Sequence, residues 1–110
     1  MRDDPAMTAG NGGCHRMAGK VAMVTGAGAE GSDEIGIGRA IALLLAREGA
    51  KIASIDKEAD RAEATARQIR DEGGEAISIA ADVTDADACV AAAIATADAF
   101  GGIDVLVNNV

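Results

Sequence analysis

The sequence predicts an α/β fold built on a doubly wound parallel sheet. Three observations carry that expectation. Short apolar runs alternate with longer amphipathic segments along the chain. The first apolar run breaks into a glycine-rich turn directly ahead of a helical pattern. Apolar residues make up 49% of the 110, yet there is one Phe and neither Tyr nor Trp. A chain this long makes one small domain, with a core of small and aliphatic side chains.

Residues 1–18 (MRDDPAMTAGNGGCHRMA) hold the only proline and no period of 2 or 3.6. They are expected to form a disordered N-terminal tail, with the folded domain at 19–110. KVAMVTG is a short apolar run ending in a glycine turn, as a buried strand would be. GRAIALLLAREGA places Ile37, Ile41, Leu44 and Leu45 at helical spacing and stops at Gly49. KIASID is the second strand. In KEADRAEATARQIRDEGG, Ala59, Ala62, Ala66 and Ile69 share one face of an amphipathic helix closed by Gly73 and Gly74. EAISIAADV is the third strand. TDADACVAAAIATADAFGG opens with Thr84 and Asp87 in capping-box spacing and places Cys89 or Val90, Ala93, Ala97 and Phe100 on one stripe. IDVLVNN is the fourth strand.

Strands that alternate with helices pair in parallel through right-handed crossovers. Two crossovers one way and a third the other way give strand order 3-2-1-4, a Rossmann-type sheet ending at its fourth strand. The order reverses beside strand 1, and ligands of this architecture bind in the crevice there. Strand 4 would present a bare edge, and one face of the sheet would carry the third helix alone.

The formal net charge of −8 argues against a nucleic-acid binder, which needs a basic face. Cys14 and Cys89 make no disulfide framework, and nothing near Cys14 and His15 completes a metal ligand set. No signal peptide and no apolar stretch of membrane-spanning length is recognised, so the expected compartment is the cytoplasm.

Two glycine patterns overlap in VTGAGAEGSDEIGIGRA, residues 24–40. Gly26, Gly28 and Gly31 spell G-x-G-x-x-G, whereas Gly26, Gly36 and Gly38 spell a pattern with an acidic interruption. A strand that runs through glycines into a helix suits phosphate, because the helix N-terminus offers unpaired N–H groups and glycines admit close approach. Neither G-x-x-x-x-G continues into Lys-Ser or Lys-Thr, which removes the NTPase reading. If the helix began near Ser32, Gly36 and Gly38 would lie inside it, each costing about 1 kcal/mol relative to alanine. If it begins at Gly36–Gly38, its apolar face falls into phase. Asp56 then follows Gly38 by 18 positions, close to the roughly 20 expected for a ribose-binding acid. A carboxylate there would accept from both ribose hydroxyls and repel a 2′-phosphate, so NAD is expected rather than NADP. Lys57, next to it, is read as a solvated helix-start lysine.

Four motifs in order, TG…GIGRA, the Asp ending strand 2, ADVTD and DVLVNN, resemble the short-chain dehydrogenase/reductase family. The resemblance implies that Thr25 and Gly26 begin a T-G-x-x-x-G-x-G motif that Gly36, Ile37 and Gly38 complete. The family has three residues between the first two glycines. This chain has nine, Ala27 to Ile35, and the insertion brings Glu30, Asp33 and Glu34 toward the phosphate site. It further implies that Asp82 and Val83 hold the adenine ring, that Asn108 braces the sheet and that Asn109 lines a cofactor ribose. Val110 replaces the usual Ala of N-N-A-G.

Catalysis in the family uses Tyr-x-x-x-Lys and an upstream Ser, and this chain has no tyrosine. No catalytic residue is therefore assigned. The expectation is the dinucleotide-binding part of an NAD-dependent oxidoreductase, a fragment inactive alone, whose full-length parent would exchange hydride with a small alcohol or carbonyl substrate. Neither nucleic acid nor membrane is an expected partner, and oligomers in this family assemble through later helices. The alternative is a non-catalytic nucleotide-binding module that folds with a partner. A methyltransferase-type domain is a weaker third, opposed by VTG, ADV and VNN.

Overall fold

A computed structural model describes residues 16–28 and 36–109. Its strands are β1 (Val21–Thr25), β2 (Lys51–Asp56), β3 (Ala76–Ala80) and β4 (Val105–Asn108). The helices between them are α1 (Ile37–Arg47), α2 (Ala59–Asp71) and α3 (Ala86–Phe100). The four strands are parallel in the order β3-β2-β1-β4, which is the 3-2-1-4 expected from the alternation of elements. Registers place Thr25 opposite Ile55 on one side and opposite Asn108 on the other. The residues that follow β1 therefore emerge between the ends of β2 and β4.

Successive side chains of a strand point to opposite faces. On one face, Ala22, Val24, Ile52 and Ala76 pack with Ala42, Ala66 and Ile69 of α1 and α2, and Val105 and Val107 lean on the same cluster. On the other, Met23, Ala53 and Ile55 pack with Ala92 of α3. Fully burying a side chain such as Ile52, Ile55 or Ile69 stabilises by about 1.5–3 kcal/mol relative to leaving it in water.

The helices depart from the predicted faces in three ways. In α1 the buried residues are Gly38 and Ala42, whereas Ile37 is 70% and Leu44 58% exposed. Small residues let the helix lie close to the sheet, and that closeness, rather than the largest side chains, sets its rotation. In α2, Ala62, Ala66 and Ile69 are buried as expected, but Thr65 joins them and Ala59 is exposed. In α3 the line of burial runs through Ala92 and Thr96, with Cys89, Ala93, Ala97 and Phe100 beside it, and Val90 is exposed.

The α3 cap is also corrected. Asp85, not Thr84, is the N-cap, and its Oδ1 accepts from the amides of Asp87 (3.0 Å) and Ala88 (3.3 Å). Thr84 is taken by Asp82, whose Oδ1 accepts from the Thr84 amide (2.9 Å) and hydroxyl (2.7 Å).

Tail and insertion fall largely outside the described residues, including Cys14, His15, Gly31, Ser32 and the acids Glu30, Asp33 and Glu34. Residues 16–19 form a turn whose Met17 amide donates to the Glu48 carbonyl at 2.8 Å, and Met17 packs against the core. Among the described residues no helix is long and apolar enough to cross a membrane.

Candidate functional site

Every predicted site residue lies at the carboxyl ends of the strands or at the start of α1. The site is organised by Gly26, which follows β1 at a φ of +62°. A Cβ on Gly26 would lie 2.0 Å from the Asn109 carbonyl oxygen. A Cβ on Gly38 would lie 2.1 Å from the Gly26 carbonyl oxygen and 2.8 Å from Asn109 Nδ2. No side chain fits at either place, so β1, the first turn of α1 and the end of β4 meet backbone to backbone.

Polar contacts fasten the same junction. The Thr25 hydroxyl donates to the Val107 carbonyl (3.2 Å) and lies 3.2 Å from Asn108 Oδ1. It also accepts from the Asn109 amide at 3.1 Å. Asn109 Nδ2 donates to the Gly26 carbonyl at 3.2 Å. Asn109 thus holds the glycine turn, a part beyond the ribose-lining role that resemblance assigned to it.

Gly36 is the N-cap of α1, with extended backbone (φ −65°, ψ 146°) and no side-chain cap, and the first turn carries no acidic residue. The other two helices differ. Asp85 caps α3 with Asp87 in its first turn, and α2 carries Asp60 in its first turn. Among the described helices, α1 alone leaves its amino end without either a side-chain cap or an acid. Such an end offers N–H groups and a partial positive charge to an anion. Ile37, the first helical residue, presents its backbone there while its side chain is exposed.

Asp56 ends β2 and is only 8% exposed. Its Oδ1 accepts from the Glu58 amide (2.9 Å) and its Oδ2 from the Gly28 amide (3.1 Å). A carboxylate has about four acceptor positions, so two remain for a ligand hydroxyl pair. Gly28 comes from the glycine pattern that periodicity disfavoured, and it still has a demand of its own. A Cβ there would lie 2.3 Å from Arg61 Cβ and 2.9 Å from Asp56 Oδ2. Sequence reasoning missed this contact because it depends on α2 passing over the loop.

Asp82 and Val83 follow β3, one strand beyond Asp56, and the Ala81 amide donates to the Asp56 carbonyl at 3.0 Å. The Thr84 hydroxyl and then its amide hold the exposed Asp82 carboxyl below its ordinary value, with the Lys57 charge adding to the effect. The Val83 carbonyl accepts from Cys89 Sγ at 3.4 Å, which ties this turn to α3. Glycine turn, helix end, Asp56 and the Asp82 turn form one continuous rim along the sheet. Among the described residues no group of three or more His, Cys, Asp or Glu is placed to hold a metal ion.

A family described as short chain dehydrogenase matches residues 20–110. The chain is 48% identical over 94 residues to a D-threitol dehydrogenase of Mycolicibacterium smegmatis, covering 86% of this chain and 34% of that protein. It is 44% identical over 97 residues to a sorbitol dehydrogenase of Cereibacter sphaeroides, covering 86% and 33%. Among solved structures, a hydroxysteroid dehydrogenase from Escherichia coli superposes with a TM-score of 0.79 at 37% identity, covering 86% of this chain and 38% of that one. The chain spans about a third of the length of the curated relatives it matches.

Proposed function

From the premise that this chain belongs to the short-chain dehydrogenase family, we propose that it is the part of an oxidoreductase that binds NAD. The family uses nicotinamide dinucleotides. The observation that carries the proposal is the uncapped amino end of α1, seated between Gly26 and Asn109 with Asp56 one strand away.

In this reading the amides at Gly36, Ile37 and Gly38 receive the pyrophosphate, and Gly26 and Gly38 let the backbones of β1, α1 and the end of β4 close up around that helix end. Asp56 accepts from the adenosine ribose hydroxyls and opposes a 2′-phosphate. Asp82 and Val83 hold the adenine, and Asn109 lines a ribose. The bound cofactor would supply hydride donation or acceptance. This chain's residues bind and orient it, and with no tyrosine they provide no partner for a substrate proton. Exchange with an alcohol or carbonyl substrate belongs to the whole protein, in the cytoplasm, and residues 1–110 alone bind without turnover.

The test is the ratio of NADH to NADPH affinity in Asp56→Ala. Removal of the carboxylate is expected to lower that ratio at least tenfold, about 1.4 kcal/mol. An unchanged ratio would overturn the assignment of Asp56 to cofactor choice.

A further inference from the structure

After Gly26 the chain turns toward β2 and α2, where both polar groups of the Ala27 backbone and the Gly28 amide have partners. The Ala27 amide donates to the Ile55 carbonyl at 3.0 Å. The Ala27 carbonyl accepts from Thr65 Oγ1 at 3.0 Å. The Gly28 amide donates to Asp56 Oδ2. Ala27 and Thr65 are both fully buried, so no water stands in for a lost bond.

Thr65 is the unexpected member of this set. It interrupts an otherwise apolar face of α2. A threonine buried in a helix commonly returns its hydroxyl to its own backbone, as Thr96 does toward the Ala92 carbonyl four residues back, at 2.8 Å. Thr65 is equally buried, but its hydroxyl leaves the helix for a carbonyl 38 residues away in sequence. Packing alone would be served by valine, which has nearly the same shape. The hydroxyl is explained by the loop.

We infer that Thr65 is a positioning residue for the glycine loop, acting through the Ala27 carbonyl, with Asp56 as the second anchor. Together they fix the direction in which the chain leaves β1. They thereby fix the Gly26 carbonyl, against which Gly38 and Asn109 pack. The use of the loop rests on the dinucleotide-binding reading, but the way it is held does not. Asp56 consequently has two duties. Loss of its anchoring duty weakens both cofactors alike, and loss of its ribose duty changes their ratio.

Amide hydrogen exchange by NMR on the 110-residue chain, with no cofactor present, tests the inference. In Thr65→Val, the Ala27 and Gly28 amides should exchange about tenfold faster, while Ile52 and Ile69 change by less than about twofold. Thr65→Ser should restore the slow exchange. Thr65→Ala should give the same local pattern as valine, and it carries the test if valine does not fold. Unaltered exchange at Ala27 and Gly28 in both variants would overturn the inference. So would acceleration shared equally with Ile52 and Ile69, unfolding of both variants, or failure of serine to restore the loop. None of these outcomes depends on NAD binding, so failure here leaves the cofactor reading standing.

Discussion

Beneath α1 and α2, the strand residues Ala22, Val24 and Ile52 are fully buried, and even Val105 and Val107 of the edge strand find partners. On the opposite face Met23, Ala53 and Ile55 are covered by α3, but Leu106 of β4 stays 62% exposed and Val90 and Ile94 of α3 also face water. The two faces belong to one sheet, yet among the described residues of this chain, which spans about a third of its relatives' length, only one is closed. The loop anchors at Thr65 and Asp56 sit on the closed side, where Ser54 also donates to the Ala62 carbonyl of α2 at 2.9 Å. Under the proposed function this loop would receive phosphate and would need a rigid support, and the better-packed layer supplies it.

The largest test of this contrast is a pair of truncations followed by urea unfolding. Ile52→Ala should destabilise by about 2–5 kcal/mol, because it removes a fully buried side chain and leaves a cavity. Leu106→Ala should change stability by no more than about 0.5 kcal/mol. Equal losses would mean that the open face is covered in solution.

Next in size is Gly38→Ala. Glycine to alanine inside an exposed helix normally stabilises by about 1 kcal/mol. Here the added methyl meets the Gly26 carbonyl, so the sign should reverse, with a loss of about 1–3 kcal/mol. A gain in thermal stability would show that α1 does not approach β1 so closely.

The α3 cap comes third. Asp85→Ala should destabilise by about 1 kcal/mol and Thr84→Ala by only a few tenths, because Asp85 alone of the two satisfies amides of the first turn. The reverse order would restore Thr84 as the cap.

These sites also mark what the sequence could and could not disclose. Strand order was legible because alternating strands and helices leave few ways to wind a sheet. The start of α1 was legible because a helix opening at Ser32 would have buried two glycines in its interior. Rotation of α1 was not legible. Ile37 and Leu44 looked like core, but contact with the sheet is governed by the smallest residues, Gly38 and Ala42. Thr65 was invisible for a different reason. Its partner Ala27 lies just beyond the end of β1, and no local period records a hydrogen bond between segments that far apart in sequence. The Thr84 cap failed on a local competition, because Asp82 claimed the hydroxyl first.

The smallest expected effect concerns the outer surface of the closed layer. The Ser78 hydroxyl holds Glu63 below its ordinary value; slight burial opposes this, and Arg70 and Arg67 add to it. A depressed pKa stabilises the folded state above the unfolded value, and that contribution is lost as pH falls through the folded value. The loss should therefore begin near pH 4.3, the usual range of Glu, and continue below it. Glu63→Gln should flatten the acid limb of stability against pH. Being at the surface, the effect should be small and should shrink further in high salt.

The central claim is that the amino end of α1, between Gly26 and Asn109, receives the cofactor pyrophosphate. Its most direct test is NMR titration of the chain with NADH, with S-adenosylmethionine as the comparison. NADH should shift the amides of Gly26, Gly36, Ile37, Gly38 and Asp56 in a saturable way, while S-adenosylmethionine leaves them in place. The claim is contradicted if NADH moves none of these amides up to millimolar concentration, or if S-adenosylmethionine moves the same set.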